Sequence, residues 1–326
     1  MKIRALARDP APSQARARSG TAAAPGPRSF RPRLVAAIAL VTLALAGHGE
    51  GAAADQGRSW KYLTEKLVAD GLDRRKVERV FDDPRFGTFR GISFSLNPVE
   101  SRARYRAFRT STSIARARRC RERYSDAFEH AERTYGVPAS VLAALLHVET
   151  QCGEFTGRSR ILPGLARLAM ANEPANLARN LNRHTHGLAG NLARQADAKT
   201  RERGRYLEDT FYPEVLGTFR LSERLGLDPL EIKGSGSGAF GLPQFLPTSF
   251  LRFAVDANGN GRVSLFEPDD AISSCANYLV GYGWRRGISR SEQRTVIWGY
   301  NHSDAYVDTV LMLSDAIAAA RPSSRR

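Results

Sequence analysis

Residues 256–267 read Asp-Ala-Asn-Gly-Asn-Gly-Arg-Val-Ser-Leu-Phe-Glu, and no other segment restricts the fold so tightly. The stretch meets D-x-[DN]-x-[DN]-G-x5-E at every defined position, the pattern of the EF-hand calcium loop. Calcium takes oxygen ligands. Asp256, Asn258 and Asn260 are expected to offer side-chain oxygens, Arg262 its backbone carbonyl and Gly261 the sharp turn, with Glu267 or Asp270 closing the shell. Asn at the third and fifth positions lowers the negative charge below that of a sensor loop, so weak, structural binding is expected, suited to calcium levels outside the cytoplasm. The competing reading is an acidic loop that binds nothing. Sensors usually pair such loops, and this chain has one, which disfavours signalling.

Around this loop the pattern is helical. From Trp60 to Phe81 the apolar residues Leu63, Leu67, Leu72, Val77 and Val80 predict two short helices separated by Gly71. Residues 100–135 are Arg-rich with helical periodicity and read as one long solvated helix. Gly136-Val137-Pro138 breaks it, with Pro138 suited to the first turn of the next helix. Residues 171–210 lack large apolar residues and read as a surface excursion. Helical periodicity returns after Tyr212, followed by a Gly-rich stretch (234–241), the polar loop and two final helices. No internal repeat and no βαβ rhythm is present, so the fold class is mainly α (α+β).

The 326 residues suffice for one large domain or two ordinary ones, and 42% hydrophobic content excludes a wholly disordered chain. A net charge of +16 calls for an acidic partner: nucleic acid, membrane surface or anionic polymer. The N-terminus narrows this. Residues 1–33 carry eight basic side chains and one acid, Leu34–Gly47 is an apolar run broken only by Thr42, and Ala52-Ala53-Ala54 follows. This is the order of a secretory signal, with residues 1–54 as signal peptide and long basic leader. The competing reading is an uncleaved anchor, but fourteen residues are short against the ~20 a spanning helix needs. No cysteine follows the run, which disfavours a lipoprotein anchor. From Asp55 onwards the chain has 272 residues with a charge of +10. An exported protein does not meet DNA or RNA, so no nucleic-acid partner is expected.

Cys120, Cys152 and Cys275 are the only cysteines. Export permits disulfides, and Cys120–Cys152 is the pair to test first. Cys275 lies on an apolar helical stripe and reads as a buried thiol. The histidines form no HExxH, so a catalytic zinc is unsupported.

The segment Ala139–Thr150 reads ASVLAALLHVET, placing Leu142, Leu145 and Glu149 on one helical face. A carboxyl at the end of a core-facing stripe is desolvated and its pKa raised, as a general acid requires. The plainer alternative is a helix-end glutamate turned outward or paired with a base. The glycines 236, 238 and 241 spell GxGxxG, but Pro243 disfavours the helix that would receive a pyrophosphate. A Gly/Ser linker is the other reading. Against it, the run ends in the apolar FGLPQFLPTSFLRF, so the glycines are expected to let backbone approach a ligand or a neighbouring helix.

Four blocks, GVPASVLAALLHVETQCGEF, KGSGSGAFGLPQFLPTSFLRFAVDANGNGRVSLFEPDDAISSCANYL, GYGW and GYNHSDAYVDTVL, together resemble the lytic murein transglycosylases of the membrane-bound transglycosylase B type. Residues 171–210 do not match that pattern, and Cys152 stands where relatives carry an aromatic or other large residue. The resemblance implies a lysozyme-like helical core with a small EF-hand-like calcium loop subdomain. It divides the exported chain into an N-terminal helical region (55–134) and a catalytic region (135–326) holding a groove segment (234–245) and the calcium loop (256–270). It implies Glu149 as the single catalytic acid/base, Ser235, Gln244, Tyr300 and Asn301 as glycan-groove residues, and Asp256, Asn258, Asn260, Arg262 and Asp270 as calcium ligands.

The partner implied is the peptidoglycan glycan strand in the periplasm, with cell-wall or secretion-machinery proteins as further candidates and no organic cofactor. The implied reaction cleaves the β-1,4 bond between N-acetylmuramic acid and N-acetylglucosamine and leaves 1,6-anhydromuramic ends. Two rivals stay open: a muramidase using a second carboxylate (Glu208, Asp209 or Glu214), and a catalytically silent peptidoglycan-binding scaffold.

Overall fold

The structure, a computed structural model, describes residues 59–319 apart from Val99. The signal peptide read in residues 1–54 lies outside the described residues. Thirteen helical segments dominate, and the only regular strands among the described residues are two residues long: β1 (Ser159–Arg160), antiparallel to β2 (Lys233–Gly234).

Helices α1 (Lys61–Ala69) and α2 (Arg74–Phe81) flank Gly71, as the periodicity predicts. Asp73 starts α2 by accepting the Lys76 amide at 2.8 Å. The Arg-rich stretch departs from the expected long solvated helix. It forms a 3-10 segment (Arg102–Arg109), then α3 (Ser111–Arg123) and α4 (Ser125–Tyr135), broken at Tyr124. Thr110 caps α3 through the Ser113 amide, Tyr124 leaves helical dihedrals (φ −116°, ψ 36°), and Gly136 closes α4 in the left-handed region at φ 70°. One face is buried through Ala117, Cys120, Phe128 and Ala131. Apart from Phe128, short side chains build that face, so the arginines dominate the sequence pattern.

Helix α5 (Ala139–Thr150) is the centre of the fold. It is buried continuously from Val141 to His147 and packs against α3, α4 and two later helices, Pro268–Gly281 and Asp304–Ala318. Pro138 stands just before its first residue, as its N-cap.

After α6 (Ile161–Ala169), residues 171–210 lie largely at the surface, as expected, but as packed helices. They form α7 (Pro174–Thr185) and the first half of α8 (Gly190–Leu225), a 36-residue helix that carries Pro213 inside it. Small residues do the packing. Ala196, Thr200 and Gly204 recur at i, i+4, i+8 and are all buried, and a Cβ on Gly204 would stand 3.2 Å from Leu177 Cδ1. A face built from Ala, Thr and Gly leaves no apolar stripe to read. Asn176 and Asn180 on α7 replace a strand partner for residues 91–94: they accept from the Ile92 and Phe94 amides, and Asn180 donates to the Ile92 carbonyl at 2.8 Å.

The chain ends in α9 (Pro247–Phe253), the polar loop, α10 (Pro268–Gly281), α11 (Arg290–Tyr300) and α12 (Asp304–Ala318). Three helices therefore follow the loop rather than two, because Ser303 caps a new helix by accepting the Tyr306 amide at 3.2 Å. One cluster of buried apolar residues extends from Trp60 to Ile317.

Candidate active site

Glu149 sits in the last turn of α5, half-buried, with Leu142 and Leu145 of its face fully buried. Its Oε1 accepts the Tyr306 hydroxyl at 2.5 Å, so neither the outward turn nor the salt bridge of the plainer reading applies. Burial pushes the carboxyl up to about 7. The Tyr306 bond works in the opposite direction by favouring the carboxylate, and the charge of Glu100 adds to the rise. A carboxyl that holds its proton near neutrality on a residue that is not fully buried can deliver that proton to a ligand.

Tyr306 is anchored in the first turn of α12 and its ring is parallel to that of Tyr300 (6.4 Å between centroids, 7° between planes). The Tyr300 hydroxyl donates to the Pro243 carbonyl, and Tyr278 meets the Tyr300 ring edge-on at 4.8 Å. Asn301 follows as the C-cap of α11; it is buried and its Oδ1 has no hydrogen-bond partner. Tyr300 and Asn301 thus stand beside the Tyr306–Glu149 pair.

The Gly-rich segment closes on the end of α5. Thr150 Oγ1 donates to the Leu242 carbonyl at 2.9 Å and accepts the Gly153 amide at 2.9 Å. Gly238 and Gly241 have φ of 97° and 74°, and a Cβ on either would collide with Leu165 or Leu265. Their freedom serves approach to neighbouring protein. Gln244 occupies the left-handed region at φ 50°, and its Nε2 donates to the Gly241 carbonyl at 2.9 Å and to Thr156 at 3.2 Å. Ser235 Oγ accepts the Ala239 amide at 3.1 Å. Both side chains close turns of this segment and remain half-exposed.

Cys120 and Cys152 form a disulfide that ties α3 to the turn after Glu149, where Gln151 and Cys152 have φ of 50° and 62°. Cys275 is free and buried, as its stripe predicts.

In the 256–270 loop, Asp256 accepts the Asn260 and Gly261 amides at 3.2 and 2.8 Å. Asn260 Oδ1 accepts the Arg262 amide at 2.8 Å. Asp270, fully buried in the first turn of α10, accepts the Ala257 and Ser264 amides, each at 2.8 Å, and so ties together both halves of the loop. Glu267 Oε2 accepts the side-chain amides of Asn258 (3.0 Å) and Asn260 (3.3 Å). Among the described residues no group of three or more His, Cys, Asp or Glu is arranged to hold a metal ion. The loop's donors include two Asn amides and the Arg262 carbonyl. They are all oxygens, those of Asp256, Asn258, Asn260 and Asp270 are oriented by backbone N–H groups, and this chemistry suits a hard cation. The loop also braces the site, because the Leu242 amide donates to the Leu265 carbonyl at 2.8 Å.

The three carboxylates that the sequence offers as a second acid, Glu208, Asp209 and Glu214, all lie on α8. Glu208 is bound by Tyr62 and Lys66, Glu214 is buried against Thr248, and Asp209 is exposed on α8. The carboxylate whose charge acts on Glu149 is Glu100. Tyr306 was also missed, although it lies within the GYNHSDAYVDTVL block.

The transglycosylase SLT domain model matches residues 55–296, well over half of the chain. The chain belongs to this family. It is 34% identical over 165 residues to membrane-bound lytic murein transglycosylase B of Escherichia coli (strain K12), a match covering 50% of this chain and 37% of that protein. The chain therefore spans little more than a third of this relative's length.

Among solved structures it resembles the Escherichia coli lytic transglycosylase SLT35 in complex with calcium (TM-score 0.57, 24% identity, 79% of this chain and 92% of that one). It also resembles SltB3 from Pseudomonas aeruginosa in complex with NAG-anhNAM-pentapeptide (TM-score 0.57, 17% identity, 82% and 84%).

The mainly helical, lysozyme-like fold expected from the sequence is borne out by this likeness. The family match begins at residue 55 and runs through 171–210, the stretch that carries no family pattern legible in the sequence. Among the described residues no helix is long and apolar enough to cross a membrane.

Proposed function

We propose that this chain is a peptidoglycan lytic transglycosylase that cleaves the β-1,4 bond between N-acetylmuramic acid and N-acetylglucosamine and leaves 1,6-anhydromuramic ends. The observation that carries the reading is Glu149: a half-buried residue whose carboxyl is raised to about 7 by burial and held by Tyr306. Protonated Glu149 gives its proton to the glycosidic oxygen as the bond to muramyl C1 breaks. The substrate's acetamido oxygen stabilises the positive charge at C1. Glu149, now a carboxylate that keeps the Tyr306 bond, takes the proton of the muramyl C6 hydroxyl as that oxygen bonds to C1. No water is consumed, and the carboxyl returns to its starting state.

Ser235, Gln244, Tyr300 and Asn301 are assigned to the walls of the glycan groove, a role the unpartnered Asn301 Oδ1 supports. Asp256, Asn258, Asn260, the Arg262 carbonyl and Asp270, with Glu267 at the rim, are assigned to a structural calcium ion that would stiffen the loop against Leu265. The site of action is the periplasm, reached through the export signal in residues 1–54. The surplus of positive charge suits an anionic wall polymer.

A hydrolytic muramidase is the second reading, and Glu100 is the observation that favours it, because a second carboxylate could activate water. Digestion of purified peptidoglycan by wild type and Glu149→Gln decides. Anhydro-ended products with the wild type, and none with the variant, support the proposal. Products one water heavier sink it in favour of the hydrolase, and binding by both proteins without any product leaves the scaffold.

A further inference from the structure

One carboxylate oxygen beside the site finds no donor in the protein. Glu100 Oε1 accepts the Tyr105 hydroxyl at 2.5 Å, while Oε2 is buried and without a hydrogen-bond partner. A buried acceptor left in this state is costly, so its presence in a candidate active site marks where a ligand's donor fits. The position is built rather than accidental. Tyr105 is buried, and its ring meets Tyr306 edge-on at 6.2 Å. Tyr306 in turn donates to Glu149. Two Tyr–Glu pairs, one ahead of α3 and one between α12 and α5, therefore meet ring against ring.

We propose that Glu100 is a second substrate-contacting carboxylate of this site, its Oε2 accepting a hydrogen bond from an O–H or N–H of the glycan whose scissile oxygen lies against Glu149. The inference rests on the transglycosylase reading. Tyr105 fixes one oxygen of the carboxylate and so directs the other. Asn301 Oδ1 is a second buried acceptor without a partner, on the Tyr300 side of the same pair of rings. N-acetylated sugars carry hydroxyl and amide donors on every ring, so two free acceptors match a donor-rich polymer.

The charge of Glu100 gives a second readout. Tyr306 from α12, Tyr300 from α11, Cys275 from α10 and Tyr105 are the other titratable groups that share the electrostatics of this site, and Glu100 is the carboxylate whose charge acts on Glu149. Its removal takes away a contribution that holds Glu149 protonated.

The test uses the full chain in two arms. In a Glu149→Gln background, binding of a soluble GlcNAc–MurNAc oligosaccharide is measured by calorimetry with and without Glu100→Ala and Glu100→Gln. Loss of a hydrogen bond to a charged acceptor should weaken binding roughly ten- to hundredfold, and Glu100→Gln, which still offers an acceptor to Tyr105, should show that loss at a melting temperature close to the parent's. With Glu149 intact, either variant should lower kcat/KM and move the alkaline limb of the pH profile to lower pH.

Binding within twofold of the parent and an unmoved limb overturn the inference. Selective loss of hydrated ends, with anhydro ends kept, overturns it in favour of a water-activating base. A wild type that binds the fragment but releases no muropeptides sinks the transglycosylase reading, and the Glu100 contact is then decided by the binding arm alone.

Discussion

The hydroxyl of Thr150 donates to the carbonyl of Leu242 at 2.9 Å, joining the residue after Glu149 to the Gly-rich segment. The same oxygen accepts the Gly153 amide, so one buried side chain fixes the end of α5 and the turn beyond it. Thr150→Val keeps the shape and leaves both backbone groups unpartnered, which should cost about 2–3 kcal/mol. Denaturant unfolding measures the loss. kcat should fall more than the stability loss explains, because the Glu149 carboxyl loses its fixed position.

Tyr306→Phe separates position from acidity. The hydroxyl favours the carboxylate form of Glu149, so its removal raises the pKa further above 7. The alkaline limb of the activity profile should move to higher pH by about one unit, since one unit corresponds to ~1.4 kcal/mol. That is opposite in sign to the shift expected for Glu100→Gln. Equal shifts of the two variants in one direction would contradict the assignment. kcat at the optimum should fall about tenfold or more, as the carboxyl is no longer held.

The disulfide crosslinks α3 to the turn after Glu149. The bond between Cys120 and Cys152 closes a sequence separation of 32. Cys120→Ala/Cys152→Ala should lower stability by about 2–4 kcal/mol. The same loss should follow treatment of the wild type with reductant, read as a melting shift absent from the double variant.

What could be read in the sequence depended on whether long-range partners leave a local trace. The calcium-loop pattern, α5 with Glu149, and the pair α1–α2 are encoded within a dozen or so residues by spacing and turn glycines. Helices α7 and α8 are not, because Ala196, Thr200 and Gly204 pack by smallness and Asn176 and Asn180 by side-chain hydrogen bonds. Neither device has an apolar period. Glu100 was invisible for another reason: its value lies in Tyr105 and in a charge on a residue 49 positions away, and nothing in its own neighbourhood marks it. Glu208 and Glu214 are equally eligible in the sequence, because the partners that occupy them stand far away in the chain, on α1 and α9.

Calcium removal tests the route from the loop to the site. Asp270 ties both halves of the loop, and Leu265 within it holds the Leu242 amide. Binding to the native state alone stabilises it by RT ln(1 + [Ca]/Kd), about 2.7 kcal/mol at a hundredfold excess over Kd. Chelation should lower the melting temperature and reduce activity, and calcium but not magnesium should restore both. Asp256→Ala should melt at the chelated temperature and no longer respond to calcium. A wild type whose melting is indifferent to calcium and chelator leaves the loop without a metal role.

Glu214 gives a pH dependence of stability separate from catalysis. It is buried on α8, accepts the Thr248 amide at 2.9 Å and the Thr248 hydroxyl, and burial raises its pKa from 4.5 to about 7. The native state therefore keeps a proton that the unfolded chain releases above about 4.5. Its stabilising contribution is fully present below that pH and is lost as pH rises through about 7, by at most about 3 kcal/mol. Glu149 titrates with the same sign. Glu214→Gln cannot ionise, and its amide N–H₂ faces the Thr248 donors, so the variant should be less stable than wild type at pH 5. Between pH 5 and 8 its melting temperature should fall less steeply, and the gap to wild type should close. Parallel curves over that range would show that Glu214 stays in one protonation state throughout, with Thr248 rather than burial setting its charge.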